Sequence, residues 1–235
     1  MKRLLMILLL AAASLPGAVF NFSSSFETGT EGWTIKTYGF ALPGGTGPVQ
    51  VASGGASGGY LETEDTMDGF LFFIAPGTWG GDLYGGTLSF WLRNQNPNNY
   101  RDNGYLGDPV VWIKGSSGPD LFAVGLPGAR AQWTFNSVAL DTSFPWALNT
   151  GGTNPATPSQ IQQTLGSVTQ IGILADWVSG FYGKQPPQYD FGHDITGLDE
   201  VRLYSSEIPE PGTAALMLLG LAAAAGWRRR SRPNG

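Results

Sequence analysis

The chain of 235 residues carries 13 Lys and Arg against 18 Asp and Glu, a single His and no Cys. Without cysteine there is no thiol nucleophile, no disulfide framework and no Cys-ligated zinc, and one histidine leaves no second imidazole for a relay or a zinc site. Setting aside Lys2, Arg3 and four C-terminal arginines, seven basic residues face seventeen acidic ones between Val19 and Ile208, and that excess of negative charge excludes an electrostatic footprint for nucleic acid or anionic lipid.

The chain opens on Met1-Lys2-Arg3, an apolar run from Leu4 to Ala13, and small residues with a helix breaker from Ser14 to Ala18. That order is a secretory signal peptide over residues 1–18, with cleavage after Ala18 or after Ala13. The stretch 19–207 is long enough for one domain with a full core. An exported domain without disulfides depends on that core, with a metal ion as a further source of stability. Its acidity suits divalent cations and solubility outside the cell.

Within the domain, short apolar alternations separated by Gly, Pro and Asn turns predict an all-β sandwich. Strands are expected at Phe20–Phe26, Trp33–Tyr38, Tyr60–Thr63, Gly69–Ile74, Thr87–Arg93, Val110–Lys114, Asp120–Val124, Gln132–Leu140, Val168–Ala175 and Leu198–Tyr204. Leu88, Phe90 and Leu92 share one face, and Ser89, Trp91 and Arg93 the other. Ile171, Ile173 and Ala175 align in the same way, and this parity decides which face enters the core. Gly44–Gly59 reads as a loop or a weakly held edge, and Asn94–Gly107 and Lys184–His193 as polar loops. One short helix is expected, since Thr157-Pro158-Ser159-Gln160 has capping-box spacing with Pro at the first helical position, and Ile161 and Leu165 come next on one face.

The tail begins with a turn, Ile208-Pro209-Glu210-Pro211-Gly212, because Pro offers no ladder donor. Thr213–Trp227 is uncharged and rich in Ala, Leu, Met and Gly, so it reads as a helix. Fifteen residues at ~1.5 Å each reach ~22 Å, short of the ~30 Å hydrocarbon core. Either flanking residues snorkel or the anchor is temporary, and Arg228, Arg229, Arg230 and Arg232 would hold its end on the cytoplasmic side. Pro-Glu-Pro, one apolar helix and a terminal arginine cluster over residues 208–235 resemble the PEP-CTERM sorting signal. Ile208 stands where Val is commoner in that family. The resemblance implies recognition in the inner membrane and processing by an exosortase near Pro209, Glu210 and Pro211.

A second resemblance lies in the domain. Ala75-Pro76, then Trp79-Gly80-Gly81-Asp82-Leu83-Tyr84-Gly85-Gly86 running into the strand at Thr87, is similar to the laminin B (laminin type IV) domain. Trp133, Pro145-Trp146, Ala156-Thr157, Val168-Thr169 and Gly197-Leu198-Asp199 extend it over about Phe26 to Tyr204. It implies a jelly-roll β-sandwich, like many carbohydrate-binding modules, with no enzymatic activity. Laminins set this domain among Cys-rich repeats, and here it stands alone.

Candidate chemistry is sparse. By strand parity with Val201 and Leu203, Asp199 is expected to point towards the core, where an unpaired carboxylate is costly. Calcium would relieve that cost with oxygen ligands; so would backbone N–H groups, and the residues leave both open. In jelly-roll carbohydrate-binding modules a Glu on the first strand and an Asp on the last often bind a structural calcium, and Glu27 and Asp199 occupy those places. Glu62, Glu64, Asp65 and Asp68 form an acidic run that could collect calcium but reads more simply as a solvated loop. Asp102-Asn103-Gly104 resembles a fragment of a calcium loop but reads more simply as a turn, and His193 reads as a surface-loop residue. Asp199 and Glu200 are the adjacent pair a glycan-degrading enzyme would offer, but neighbouring strand residues point to opposite faces. Among aromatic residues that could stack on sugars, Trp91, Trp112, Trp146, Trp177 and Phe181 compete with core roles. Tyr100, Tyr105, Tyr182 and Tyr189 lie on polar loops. The sequence thus describes an exported, non-catalytic domain of the cell surface or extracellular polysaccharide matrix, with surface proteins or polysaccharide as partners. The alternative is a carbohydrate-binding module using those loop tyrosines.

Overall fold

A computed structural model of the protein describes residues 19–39, 47–65, 69–96, 107–177 and 194–205, all within the unit Ala18–Ser206. Eleven strands and one α-helix are formed there: β1 (Asn21–Ser24), β2 (Thr34–Thr37), β3 (Val49–Val51), β4 (Tyr60–Asp65), β5 (Leu71–Ile74), β6 (Gly86–Asn94), β7 (Val111–Gly115), β8 (Leu121–Ala123), β9 (Thr134–Leu140), α1 (Pro158–Leu165), β10 (Val168–Leu174) and β11 (Asp194–Ser205). The strands make two antiparallel sheets. One has the order β3-β4-β11-β6-β9 with β1 also on β11; the other runs β2-β5-β10-β7-β8. This is the sandwich that the alternation predicts.

The core forms where the two period-two patterns meet. Leu88, Phe90 and Leu92 of β6 face Ile171 and Ile173 of β10 across a fully buried interior. One end is closed by rings, with Phe22 5.6 Å from Trp79 and Trp79 5.4 Å from Trp33 between centroids. The buried Trp33 Nε1–H donates to Ser24 Oγ at 2.9 Å, so the indole carries no unmet donor.

Helix α1 starts as its sequence predicts. Gln160 N–H donates to Thr157 Oγ1, and Gln160 Oε1 accepts from Thr157 N–H at 2.9 Å, a complete capping box with Pro158 in the first turn. Ile161 and Leu165 are buried.

The Gly-rich segment resolves in part into the edge strand β3, which pairs with β4, followed by a loop. The acidic run is not a solvated loop. Glu62, Glu64 and Asp65 lie in β4, and Asp65 is buried because it shares a face with Leu61 and Thr63; Asp68 falls outside the described residues. Among the described residues no helix is long and apolar enough to cross a membrane.

Candidate functional site

β11 changes partner along one edge. Asp194–Leu198 pairs with β4, and Val201–Tyr204 pairs with β1. Between these stretches the register against β6 shifts, and Glu200 takes a left-handed φ of 46°. Two segments converge on this gap: Phe26–Glu27, leaving β1, and Gly54–Gly59, leading into β4. Phe26 is also left-handed, with φ 57°. Each such residue costs on the order of 1–3 kcal/mol, and that strain persists only where the surroundings enforce it.

The bulge corrects the expected direction of Asp199. Leu198 pairs with the core residue Leu92 and Asp199 with Trp91, so Asp199 belongs to the outer face. The extra residue then returns Val201 and Leu203 to the core side. Parity counting fails there because it assumes an unbroken strand.

Asp199 is nevertheless fully buried, because the Gly54–Gly59 loop covers it. Its Oδ2 accepts from Ser57 N–H at 3.1 Å and its Oδ1 from Glu200 N–H at 2.7 Å. Burial raises the Asp199 pKa above the ordinary value, opposed by the N–H groups of Ser57, Glu200 and Ala56. Glu27 Oε1 accepts from Gly59 N–H at 3.2 Å. A Cβ placed on Gly55 would sit 2.6 Å from Asp199 Oδ2, 2.6 Å from Gly59 O and 2.9 Å from Gly58 O. One on Gly58 would sit 2.1 Å from Glu27 Oε1. Only glycine lets this backbone lie so close to Asp199 and Glu27. Glu27 and Asp199, singled out from sequence, thus meet the same loop. Carboxylate and carbonyl oxygens are the ligands a hard cation takes. The N–H donors satisfy Asp199 as well, which is the other arrangement that the sequence allows.

Glu200 accepts from the Ser57 hydroxyl and, at 2.6 Å, from Arg202 Nη2. The Ser57 hydroxyl holds its carboxyl below the usual range, outweighing partial burial, with help from Arg202. A second set of contacts secures the loop: Trp133 Nε1–H donates to Gly54 O at 2.9 Å, and the Arg93 guanidinium stacks 4.8 Å above the Trp133 ring and 5.2 Å from Tyr60.

A group that sequence reading missed lies at the other end of β11. Carboxylate oxygens of Asp65, Asp176 and Asp194 fall within 4.8 Å of one another. Asp194 accepts from Asn94 Nδ2–H and, at 2.8 Å, from Trp177 N–H. A divalent cation could bridge these oxygens. The available signal was parity, since Asp65 alternates with Leu61 and Thr63, and Asp194 with Thr196 and Leu198.

Of the sugar-stacking candidates, Trp112, Trp146 and Trp177 are core residues, and Trp91 is half-buried on the outer face. Tyr100, Tyr105, Phe181, Tyr182 and Tyr189 lie outside the described residues. So do residues 1–18, His193, the Asp102 turn, and the tail with Pro209, Glu210, Pro211, Arg228, Arg229, Arg230 and Arg232.

The PEP-CTERM protein-sorting motif matches residues 207–230. That match marks an exported protein sorted to the cell surface and implies processing by an exosortase. No curated protein matches the chain. Among solved structures, the L4b domain of human laminin alpha-2 is 12% identical with a TM-score of 0.54, over 81% of this chain and 99% of that one. A family 11 carbohydrate-binding module from Clostridium thermocellum, in complex with a beta-1,3-1,4-mixed-linked tetrasaccharide, is 12% identical over 81% of this chain and 98% of its own, at a TM-score of 0.47. A xylan-binding domain from Paenibacillus barcinonensis is 13% identical over 82% and 97%, at 0.44. The laminin likeness shows the β-sandwich fold and nothing about ligand.

Proposed function

We propose that this chain is a non-catalytic component of the cell surface or the extracellular polysaccharide matrix. A signal peptide takes it across the inner membrane, and the tail anchors it there transiently until an exosortase cuts near Pro209-Glu210-Pro211. The β-sandwich then works outside the cell through contacts with polysaccharide or surface proteins. The observation that carries this reading is the sorting motif at residues 207–230 beside a β-sandwich domain. A non-enzymatic role is supported by the described carboxylates: Asp199 and Glu200 are engaged by Ser57, and Asp65 and Asp194 are buried.

A structural calcium belongs to the same proposal, held by Glu27 and Asp199 with the carbonyls of the Gly55–Gly59 loop. Support comes from the Asp199, Gly58 and Gly59 oxygens close about Gly55, from the Glu27 carboxylate beside Gly58, and from the left-handed backbones of Phe26 and Glu200 on either side. Bound there, the cation would neutralise both carboxylates and stiffen the junction of β1, β4 and β11.

Intact mass of the protein from its native cells, in membrane and extracellular fractions, tests the sorting step. A mature species ending near Pro211 is expected, and it should disappear in the Pro209→Ala, Glu210→Ala variant. Retention of the full-length tail in the membrane with no shorter species would overturn the reading.

A further inference from the structure

We propose that the outer face of the sheet containing β11 is a binding groove for a segment of neutral polysaccharide. The proposal deepens the surface and matrix reading and rests on it only for where the ligand would be met. The chemistry comes from the register of four neighbouring strands, β1, β11, β6 and β9. One outward row contains Asn21, Tyr204 and Thr87, the next has Arg202, Ser89 and Ser137, and a third sets Trp91 beside Phe135. Of these, Asn21, Tyr204, Arg202, Ser89, Trp91 and Phe135, together with Glu200, line an open groove of about 610 Å³, within the ~300–1,000 Å³ typical of ligand sites. From the Trp91 row to the Thr87 row is four residues of strand, or about 13 Å, room for a short run of sugar rings.

The two ends of the groove are aromatic. Phe135 is 49% exposed and Tyr204 40%, and they are among the few large apolar side chains so open to solvent in the described residues. Phe135 packs 5.3 Å from Trp91, centroid to centroid, which holds both rings in place. An exposed apolar surface of this kind, set among polar groups, marks a contact site. Sugar rings offer an apolar C–H face to such aromatics and a rim of hydroxyls to the polar groups between them.

Those polar groups favour an uncharged ligand. Arg202 can only donate and Glu200 can only accept, and they are paired at 2.6 Å. The pair leaves no surplus charge: an anion would be opposed by Glu200 and a cation by Arg202. Hydroxyl groups, which both donate and accept, can use the two together. A peptide strand would gain its backbone hydrogen bonds at a sheet edge, and this face offers none. Ser57, which holds both Asp199 and Glu200, is a positioning residue for the groove.

The experiment measures binding of the purified full-length chain to polysaccharide extracted from its own cells and to neutral β-glucan and mannan, with alginate as an anionic control. Phe135→Ala and Tyr204→Ala are the test variants; both side chains are exposed, and melting curves confirm that each variant folds. The expected result is saturable binding to a neutral polymer that survives high salt, weakened about tenfold or more by either variant. Four results would overturn the proposal: no binding to any of these polymers, binding to alginate alone that salt abolishes, binding unaffected by both variants, or a dimer that Phe135→Ala dissociates, since a second copy would then cover the face. Sorting is read separately by intact mass, so either proposal can fail without the other.

Discussion

Asp199 stands opposite Trp91 in the ladder between β6 and β11, yet Trp91 opens to solvent while Asp199 is fully buried. The difference lies in the Gly54–Gly59 loop, which covers Asp199 and leaves the Trp91 ring to the groove. Trp133 and Arg93 hold the start of that loop at Gly54 O, and Ser57 holds its middle to Asp199 and Glu200. One loop therefore closes the carboxylate junction and sets one wall residue of the groove, Glu200.

Gly55→Ala should destabilise the protein by about 1–3 kcal/mol, because its Cβ would press on Asp199 Oδ2 and on the Gly59 carbonyl. In a domain of this size each kcal/mol lowers the melting temperature by roughly 2–4 °C. Gly77→Ala, with open space around the added carbon, should stay within about 0.5 kcal/mol of the parent. Circular dichroism melts of the two variants check the contrast.

Calcium should raise the melting temperature of chelator-treated protein. At a hundredfold excess over Kd the gain is about 2.7 kcal/mol. Asp199→Asn and Glu27→Gln should each lose the response, and magnesium should substitute poorly because it demands a tighter octahedral shell. Superimposable melts with and without calcium would sink the metal site.

The adjacent carboxyls should shift in opposite directions. Burial raises the Asp199 pKa, so the folded state keeps its proton longer than the unfolded chain does; in metal-free protein this lowers stability as pH climbs from the ordinary aspartate range through the raised value. Glu200 is depressed, so its contribution is present above its unfolded pKa and is lost as pH falls through the folded one. Carboxyl carbon NMR should therefore show Asp199 titrating above the ordinary aspartate value and Glu200 below the ordinary glutamate value. An Asp199 pKa at or below the ordinary aspartate value would show that the loop does not bury it.

Thr157→Ala removes half of the capping box of α1 and should cost about 1 kcal/mol. Thr157→Ser, which keeps the hydroxyl acceptor, should cost much less. Chemical denaturation of both variants measures the difference, and their sorting should be unchanged.

Strand positions, the α1 cap and the C-terminal sorting motif were legible in the amino-acid sequence because each is local. Alternation at period two needs only a run such as Thr87–Arg93, a capping box only four residues, and a sorting signal only the order of turn, apolar run and arginines. The edge strand β3 was legible only as one of two readings of the Gly-rich segment, because Val49–Val51 is too short to show an alternation. Glu27 and Asp199 were named together from resemblance, and each accepts from the Gly54–Gly59 loop; the direction of Asp199 was not foreseen, since a single bulge reverses parity and leaves no mark on composition. Tertiary structure alone decided the outer groove and the meeting of Asp65, Asp176 and Asp194. Their residues are scattered along the chain and become neighbours only through strand register, which the hydrogen-bond ladder and the packed core set together.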